Sequence, residues 1–311
     1  MEITSSSSLT DRRVVLKRAT ASGAQTTLRG TLFCTSPNDG SYVVLLTGDP
    51  QQKAYLVQSD RVKSIVEEQT KETNKRFKFL AMNQDQPQVA APSGIPAEAW
   101  RRRYFLFSKF DEGIRMDAES WYSVTPEPIA QHIAERCRCN LILDACCGAG
   151  GNAIHFAQTC NHVIACEVSP ERIMLAQANA RIYRVDDRIE FLLGNVMDFM
   201  KSLPADSVDV VFLSPPWGGP EYKHTSGFSL ADQVTLYGPA QSTHHDGIDL
   251  FIEARRVARL GVAYYLPRTC SLASLHRELG VLPTEFERHH VWNTSSTFTV
   301  CCYFGDFGPG D

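Results

Sequence analysis

The 311-residue sequence lacks several patterns that would assign it to a class at once. It has no run of roughly 18 apolar residues, the length a membrane-spanning helix needs. Residues 1–10 are polar and serine-rich and do not resemble a signal peptide. Its ten cysteines form no CxxC pair and no Cys/His ligand spacing. These absences predict no membrane partner, no bound metal, and reduced thiols typical of the cytosol or nucleus.

A strong excess of basic residues is also missing, since the net charge is −4. Residues 1–80 contain twelve Lys and Arg against eight Asp and Glu, a balance of +4, and the remainder has a balance of −8. The larger part of the chain therefore has no broad basic surface for nucleic acid. Any RNA contact there is expected to be local, at a few positive side chains around a pocket.

Three parts of the chain differ in pattern. Residues 11–80 contain short apolar segments separated by Gly, Asn, Asp and Pro, which is typical of a small all-β domain. Residues 81–97 lack periodicity and predict a linker, and residues 1–10 predict a disordered tail. Residues 98–311 alternate between strand and helix patterns, which predicts an α/β domain with a parallel sheet.

A glycine-rich turn, Asp144-Ala-Cys-Cys-Gly148-Ala-Gly150-Gly-Asn152, follows a predicted strand at 140–143 and precedes an apolar helix. The next predicted strand, 163–166, stops at Glu167. This order is that of the doubly wound nucleotide site. There the glycines allow the backbone to approach the ligand closely, and the acid accepts hydrogen bonds from the ribose hydroxyls. The spacing alone does not separate NAD from S-adenosylmethionine, but an acid ahead of the glycines favours the cationic methyl donor.

Two further predicted strands continue the pattern. A helix is expected after Ser169, a candidate N-cap, with Pro170 in its first turn. The segment 189–193 predicts a strand with Asn195 just beyond it. The apolar run 208–213 predicts a buried strand that ends at a proline-rich segment.

That segment, Ser214-Pro215-Pro216-Trp217, has the composition of a rigid clamp for a planar base with an amino group. Prolines fix φ and lack a backbone donor, so nearby carbonyl oxygens are left to accept hydrogen bonds from an exocyclic NH₂. The indole of Trp217 offers a stacking face. A proline-rich turn with a core tryptophan is the alternative interpretation.

Residues 98–307 resemble the trimethylguanosine synthase family of RNA cap guanosine-N2 methyltransferases. The runs that carry the resemblance are Arg103-Tyr-Phe-Leu-Phe107-Ser-Lys-Phe-Asp111, Trp121-Tyr-Ser123-Val-Thr125-Pro-Glu127, Asp144 to Asn152, Ser214-Pro-Pro-Trp217-Gly-Gly-Pro-Glu-Tyr222, Leu266-Pro-Arg268 and Tyr303-Phe-Gly-Asp306. The glycine-rich turn is common to many methyltransferases, whereas the combination of the runs that begin at Trp121 and at Ser214 is close to diagnostic.

The resemblance implies a doubly wound, Rossmann-like class I methyltransferase that uses S-adenosylmethionine. It would methylate the 2-amino group of a 7-methylguanosine cap twice, giving 2,2,7-trimethylguanosine on small nuclear and nucleolar RNAs. Such an enzyme is expected in the nucleus, in nucleoli or nuclear bodies, and also in the cytoplasm. A helical arm, residues 98–120, would pack over the donor.

The resemblance also assigns site residues. The donor would be held by Phe107, Thr125, Asp144, Gly148, Gly150, Asn152, Glu167 and Asn195. Ser214, Pro215 and Trp217 would hold the reacting base. The remaining contacts to the cap and its phosphates would come from Ser123, Tyr222, Arg268, Arg103 and Lys109. Where the family often has a lysine near the start of the arm, this chain has Glu98.

Residues 11–70 resemble the Sm-like fold, in particular its Gemin-type variants. A Ser-Tyr pair, Ser41-Tyr42, replaces the Asn that RNA-binding Sm proteins place before the middle apolar run. Docking to another Sm-type or ribonucleoprotein partner through strand edges is therefore favoured over uridine recognition. An unrelated small barrel is the alternative. The segments that carry the resemblance are 14–17, 28–32, 36–37, 42–46 and 55–57.

Two other functions stay open at this point. An amino-methyltransferase acting on adenine or a protein amide usually has Asp or Asn before the two prolines, where this chain has Ser214. A catalytically inactive adaptor that tethers capped RNA to Sm-type partners would not need the acids Asp144 and Glu167. The proline-rich segment and the two acids therefore favour the cap methyltransferase.

Overall fold

The computed structural model describes residues 90–217, 227–237, 244–290 and 297–307, and the backbone of five strands between residues 12 and 67. Internal contacts divide the chain into two compact units, Met1–Arg76 and Phe77–Asp311. Each unit contains its own β-sheet.

The first unit is a five-stranded sheet with the order β4-β3-β2-β1-β5, in which every described pairing is antiparallel. The apolar segments at 14–17, 28–32, 42–46 and 55–57 each lie within or overlap a strand. The Sm-like identity of this unit stays a prediction. The strands are β1 Arg12–Ala19, β2 Gln25–Thr35, β3 Tyr42–Leu46, β4 Ala54–Val57 and β5 Ile65–Glu67.

The second unit is built around a seven-stranded sheet with the order β13-β14-β12-β9-β6-β7-β8. The strands from β12 to β8 run parallel, while β14 is antiparallel to both of its neighbours. The predicted strands 189–193 and 208–213 are confirmed at both ends. The strands are β6 Leu141–Asp144, β7 His162–Glu167, β8 Ile189–Leu193, β9 Val208–Leu213, β12 Ala258–Pro267, β13 Glu285–His290 and β14 Thr297–Gly305.

Helices pack on both faces of this sheet because its strands are apolar on both sides. In β9, Val210 and Phe212 join one core cluster, and the alternate residues Val211 and Leu213 join the other. The helices are α1 Ala97–Arg101, α2 Arg103–Leu106, α3 Ser120–Ser123, α4 Glu127–Arg136, α5 Gly151–Thr159, α6 Pro170–Tyr183, α7 Val196–Ser202, α8 Leu230–Gln233, α9 Gly247–Val257 and α10 Leu272–Leu279. A short ribbon pairs β10 Thr235–Tyr237 with β11 His244–Asp246.

Helix α6 shows how local sequence sets an element boundary. The side chain of Ser169 accepts a hydrogen bond from the Arg172 amide at 3.4 Å, and Pro170 is the first helical residue. The predicted N-cap is therefore confirmed. None of the helices within the described residues has the length and apolar character needed to cross a bilayer.

The strand order reverses between β6 and β9. The chain passes outward from β6 to β7 and β8, then returns to place β9 on the other side of β6. In open α/β sheets, ligands bind outside the carboxyl ends of the strands at such a switch point. The predicted doubly wound α/β fold is confirmed, and its switch point between β6 and β9 is the expected ligand-binding edge.

Candidate active site

The polar residues predicted for the site gather at the carboxyl edge of the parallel strands. Asp144 is the last residue of β6 and Glu167 the last of β7, while Asn195 lies two residues beyond β8. Ser214 and Arg268 directly follow β9 and β12. Because these strands are parallel neighbours, all five residues come to one edge.

The glycine-rich turn between β6 and α5 depends on two left-handed residues. Gly148 has φ of +54° and Gly150 has φ of +88°, conformations that other residues adopt only with strain. A Cβ on Gly150 would also lie 3.2 Å from Ala176 of α6, whereas a Cβ on Gly148 would meet nothing within 4 Å. Gly150 thus allows α5 and α6 to pack closely against each other, and Gly148 borders open space.

Glu167 connects the turn to the neighbouring strand. Its Oε2 accepts a hydrogen bond from the Gly148 amide at 3.0 Å, and its Oε1 accepts one from the Ser169 amide at 3.0 Å. The residue is 8% exposed. Each carboxylate oxygen keeps further lone-pair capacity, so this carboxylate can still accept hydrogen bonds from a pair of ribose hydroxyls.

Asp144 is fully buried, and neither of its carboxyl oxygens meets a donor in good hydrogen-bond geometry, although the backbone amides of Cys146 and Ala153 lie near enough to favour its ionised form. Burial, with a smaller contribution from the nearby charge of Glu167, raises the pKa of Asp144 to about 8. A buried carboxyl without a partner is costly unless something compensates for it. S-adenosylmethionine, which carries an ammonium and a sulfonium, fits these residues, because a cation would favour the ionised form of Asp144.

The segment after the arm packs directly on the glycine-rich turn. A Cβ on Gly151 would lie 3.1 Å from the Val124 side chain and 3.9 Å from the Phe107 ring. The Nδ2 atom of Asn152 donates a hydrogen bond to Oγ1 of Thr125 at 3.0 Å, and both residues are buried. Three of the predicted donor residues therefore lie together around Gly151, at the start of α5: Phe107, Thr125 and Asn152.

Glu127, at the start of α4, attaches the arm to the core. Its carboxylate accepts hydrogen bonds from the amide and the hydroxyl of Ser108, the latter at 2.9 Å. It also accepts a hydrogen bond from the hydroxyl of Tyr183 at 3.0 Å, and Glu127 is 5% exposed. The sequence analysis gave Glu127 no role. Its position in the Thr-Pro-Glu run, an acid at a helix start, was the signal available.

Two of the three basic residues predicted for the cap and its phosphates, Arg103 and Lys109, make contacts within the protein. Arg103 is 6% exposed, with its guanidinium over the rings of Trp100 and Tyr104, and donates to the Trp100 carbonyl at 3.1 Å. Lys109 donates to the Ile182 carbonyl at 3.4 Å. Arg103 thus packs inside the arm, and a phosphate contact from either residue stays a prediction.

The proline-rich segment lies beside the glycine-rich turn. Oγ of Ser214 is 3.4 Å from the carbonyl oxygen of Cys146, to which it donates. Pro215 is buried, and Trp217 is half-buried with its ring centroid 5.5 Å from that of Tyr265. Trp217 therefore has a supporting core contact on one side while part of it stays exposed, and its stacking on a base remains a prediction.

The other predicted cap contacts are at the surface or outside the described residues. Ser123 is exposed, and its hydroxyl donates to the Glu119 carbonyl at 3.1 Å. Arg268 is exposed at the end of β12. Tyr222 lies outside the described residues.

Asn195, which was predicted to contact the donor, is the N-cap residue of α7. Its side chain accepts a hydrogen bond from the Met197 amide at 2.8 Å.

Comparison with known proteins gives three findings. Residues 139–307 match a family described as RNA cap guanine-N2 methyltransferase. The chain is 39% identical to the trimethylguanosine synthase of Schizosaccharomyces pombe over 66% of this chain and 84% of that protein. It is 32% identical to the trimethylguanosine synthase of Saccharomyces cerevisiae, over 71% of each chain.

One solved structure adds support for the fold alone. A putative methyltransferase from Porphyromonas gingivalis superimposes with a TM-score of 0.50 at 13% identity, covering 72% of this chain and 54% of that one.

Proposed function

The chain belongs to the RNA cap guanine-N2 methyltransferase family, and we propose that it converts a 7-methylguanosine cap to 2,2,7-trimethylguanosine. It is an S-adenosylmethionine-dependent enzyme. It would act twice on the exocyclic 2-amino group, using two molecules of donor.

One contact carries this proposal. The Ser214 hydroxyl reaches the Cys146 carbonyl in the glycine-rich turn at 3.4 Å. The segment suited to an amino group on a planar base is therefore in contact with the turn suited to a nucleotide-like donor. Asp144, paired in register with Phe212 of β9, borders the same junction.

S-adenosylmethionine, when bound, supplies an electrophilic methyl group on a sulfonium. The residues that would hold it are Asp144, Glu167, Asn152 and the backbone around Gly148. Glu167 would accept hydrogen bonds from the ribose hydroxyls of the donor, while the amides of Gly148 and Ser169 keep its carboxylate in position. Asp144 would provide the negative charge opposite the cation.

On the cap side, the half-exposed ring of Trp217 would stack on the base. A 7-methylguanine ring is cationic, so stacking on an indole adds a cation–π contribution of about 2 kcal/mol when desolvated. This contribution selects the already methylated cap over plain guanine. Tyr265 packs against Trp217 and so holds the indole ring, here called the cap platform, in position.

Alignment is expected to dominate the rate. The positive charge on the base makes its 2-amino group a poor nucleophile, so tight positioning has to compensate. The 2-amino group can donate hydrogen bonds to the carbonyl oxygens of the proline-rich segment and to Oγ of Ser214. Ser214 is too weak a base to remove a proton, so proton loss to water would follow methyl transfer.

The finer assignments form part of the same proposal. Small nuclear and nucleolar RNAs would be the capped substrates, and the enzyme would work in nucleoli or nuclear bodies and also in the cytoplasm. Residues 11–80 would dock an Sm-type or other ribonucleoprotein partner. The support for docking is a described sheet whose outer strands, β4 and β5, each pair on one side only among the described strands.

The test compares two small substrates. Purified protein and donor labelled in the methyl group are incubated with 7-methylguanosine diphosphate or guanosine diphosphate. Labelling of the first alone is expected, with products heavier by one and then two methyl groups. Equal labelling of both substrates, or of neither, would contradict the proposal.

A further inference from the structure

A second cluster of polar side chains lies between α4 and the sheet-edge strand β13. Glu287 Oε2 is 2.8 Å from Nε2 of His132 and 3.4 Å from Nε2 of His289. One ligand-type atom from each residue lies within 4.8 Å of the other two. None of these residues belongs to the candidate active site.

The donor set matches a known metal-binding chemistry. Two imidazole nitrogens and one carboxylate oxygen form the protein ligands of many zinc sites, and a water completes the tetrahedron. With metal–ligand bonds of about 2.0–2.2 Å, neighbouring ligand atoms in a tetrahedron are separated by about 3.4 Å. The distance from Glu287 Oε2 to His289 Nε2, 3.4 Å, equals this separation, whereas the distance to His132 Nε2, 2.8 Å, is that of a hydrogen bond and would lengthen when an ion replaces the shared proton.

Two neighbouring side chains hold the Glu287 carboxylate in position. The hydroxyl of Tyr303 donates to Glu287 Oε2 at 3.2 Å, and Arg136 Nε lies 3.4 Å from the other carboxylate oxygen, Oε1. The Arg136 charge is also paired with Glu285, at 2.7 Å, so it does not leave the cluster with an uncompensated positive charge. Groups of this kind orient a ligating carboxylate and raise metal affinity.

We propose that His132, Glu287 and His289 form a binding site for a divalent transition-metal ion, with zinc the best match. The ion would join a helix to an edge strand away from the glycine-rich turn, so it would take no part in methyl transfer. The side chains of His132 and Glu287 are 20% and 21% exposed, which gives an ion a way in, and that of His289 is 2% exposed.

The site would also support the cap platform indirectly. The His289 ring packs 6.2 Å from that of Tyr265, and Tyr265 packs 5.5 Å from Trp217. Sequence spacing could not reveal this cluster, because His132 and Glu287 are 155 positions apart.

The experiment measures zinc binding by the full-length, untagged protein. After removal of metal with a chelator, zinc is titrated by calorimetry, and melting temperature is recorded with and without zinc. One zinc per chain and a rise in melting temperature are expected. His132→Gln keeps a hydrogen-bond donor for Glu287 but removes the imidazole ligand, so it should weaken zinc affinity by more than about tenfold.

Two further variants complete the test. His289→Gln removes the second imidazole, and a circular dichroism spectrum checks that it folds. His162→Ala is the matched control, since His162 and Glu190 form an exposed pair at 3.7 Å, and this variant should bind zinc as the wild type does. Absence of stoichiometric zinc binding, or binding that His132→Gln leaves unchanged, overturns the proposal. The second result would instead assign the metal to cysteine thiols.

Discussion

The proposed donor half and the proposed cap half of the active-site edge differ in how their side chains are held. In the donor half, Asp144, Asn152 and Glu167 are at most 8% exposed and pack within the fold. In the cap half, Trp217 is half-buried and Arg268 is exposed. One edge of a single sheet thus combines a buried site with a surface site.

The difference matches what each half would bind. The donor is a small molecule, so buried groups and backbone can enclose it. A cap attached to a long RNA has to enter and leave from solvent, so its contacts must stay accessible. Substitutions in the donor half should therefore alter stability and donor binding together, and those in the cap half should mainly alter substrate binding.

The largest effect is expected for Trp217→Ala, which should abolish methyl transfer to 7-methylguanosine diphosphate. Loss of a stacked base contact costs about 1–3 kcal/mol, and misalignment of the amine adds to that loss. Trp217→Phe keeps an aromatic face and should retain part of the activity, measured as kcat/KM. Wild-type turnover by the alanine variant would show that Trp217 serves the core alone.

Asp144→Asn should come next, with an increase in the KM for the donor of roughly 10–100-fold, since a charged hydrogen-bonding group contributes about 1.5–3 kcal/mol. The KM for the cap should change little. Steady-state kinetics with each substrate varied in turn separates the two. A larger effect on the cap than on the donor would break the division into two halves.

The same substitution has a signature in the pH dependence of folding. The pKa of Asp144 in the folded protein, about 8, lies above its ordinary value of 3.8, so its contribution to stability is lost as pH rises from about 4 to 8. Asp144→Asn should remove that decline. The free energy of unfolding of the wild type and the variant is measured with denaturant at pH 5 and pH 8, without donor. An equal change between the two pH values in both proteins would contradict the raised pKa of Asp144.

Arg268→Ala should have a smaller effect, confined to substrates with phosphates. We expect about a tenfold higher KM for a cap with a triphosphate bridge and little change for 7-methylguanosine nucleoside, because the contribution is a charge-assisted contact at the surface. Arg277→Ala, which removes an exposed arginine on α10, is the control. Equal effects of Arg268→Ala on both substrates would indicate a structural arginine.

The smallest effect is expected from removing residues 1–92. The boundary between the two units, between Arg76 and Phe77, lies before this point, and every described residue assigned to donor or cap lies between Arg103 and Arg268. Methylation of small cap analogues should continue at nearly the full-length rate. Loss of activity in a shortened chain that still folds would show that the first unit helps to build the site.

Much of the donor half could be predicted from sequence because it depends on local signals. Gly148 and Gly150 have the positive φ values that a glycine-rich turn requires, and β9 has the bounds of its apolar run. The orientation of the arm could not be predicted in this way. A charged residue on a short helix normally faces solvent, yet Arg103 is enclosed by Trp100 and Tyr104. Such enclosure depends on tertiary packing that no local pattern encodes.

The Glu127 carboxylate holds Ser108 by its amide and hydroxyl and reaches Tyr183 on α6, so the arm is docked by contacts within the chain itself. Ordering a flexible backbone costs about 1–2 kcal/mol per residue, and this protein meets that cost on folding instead of on binding. The proposed donor site would then be formed before the donor binds. Its association rate should be limited by diffusion and desolvation, with no slow lid closure in stopped-flow traces.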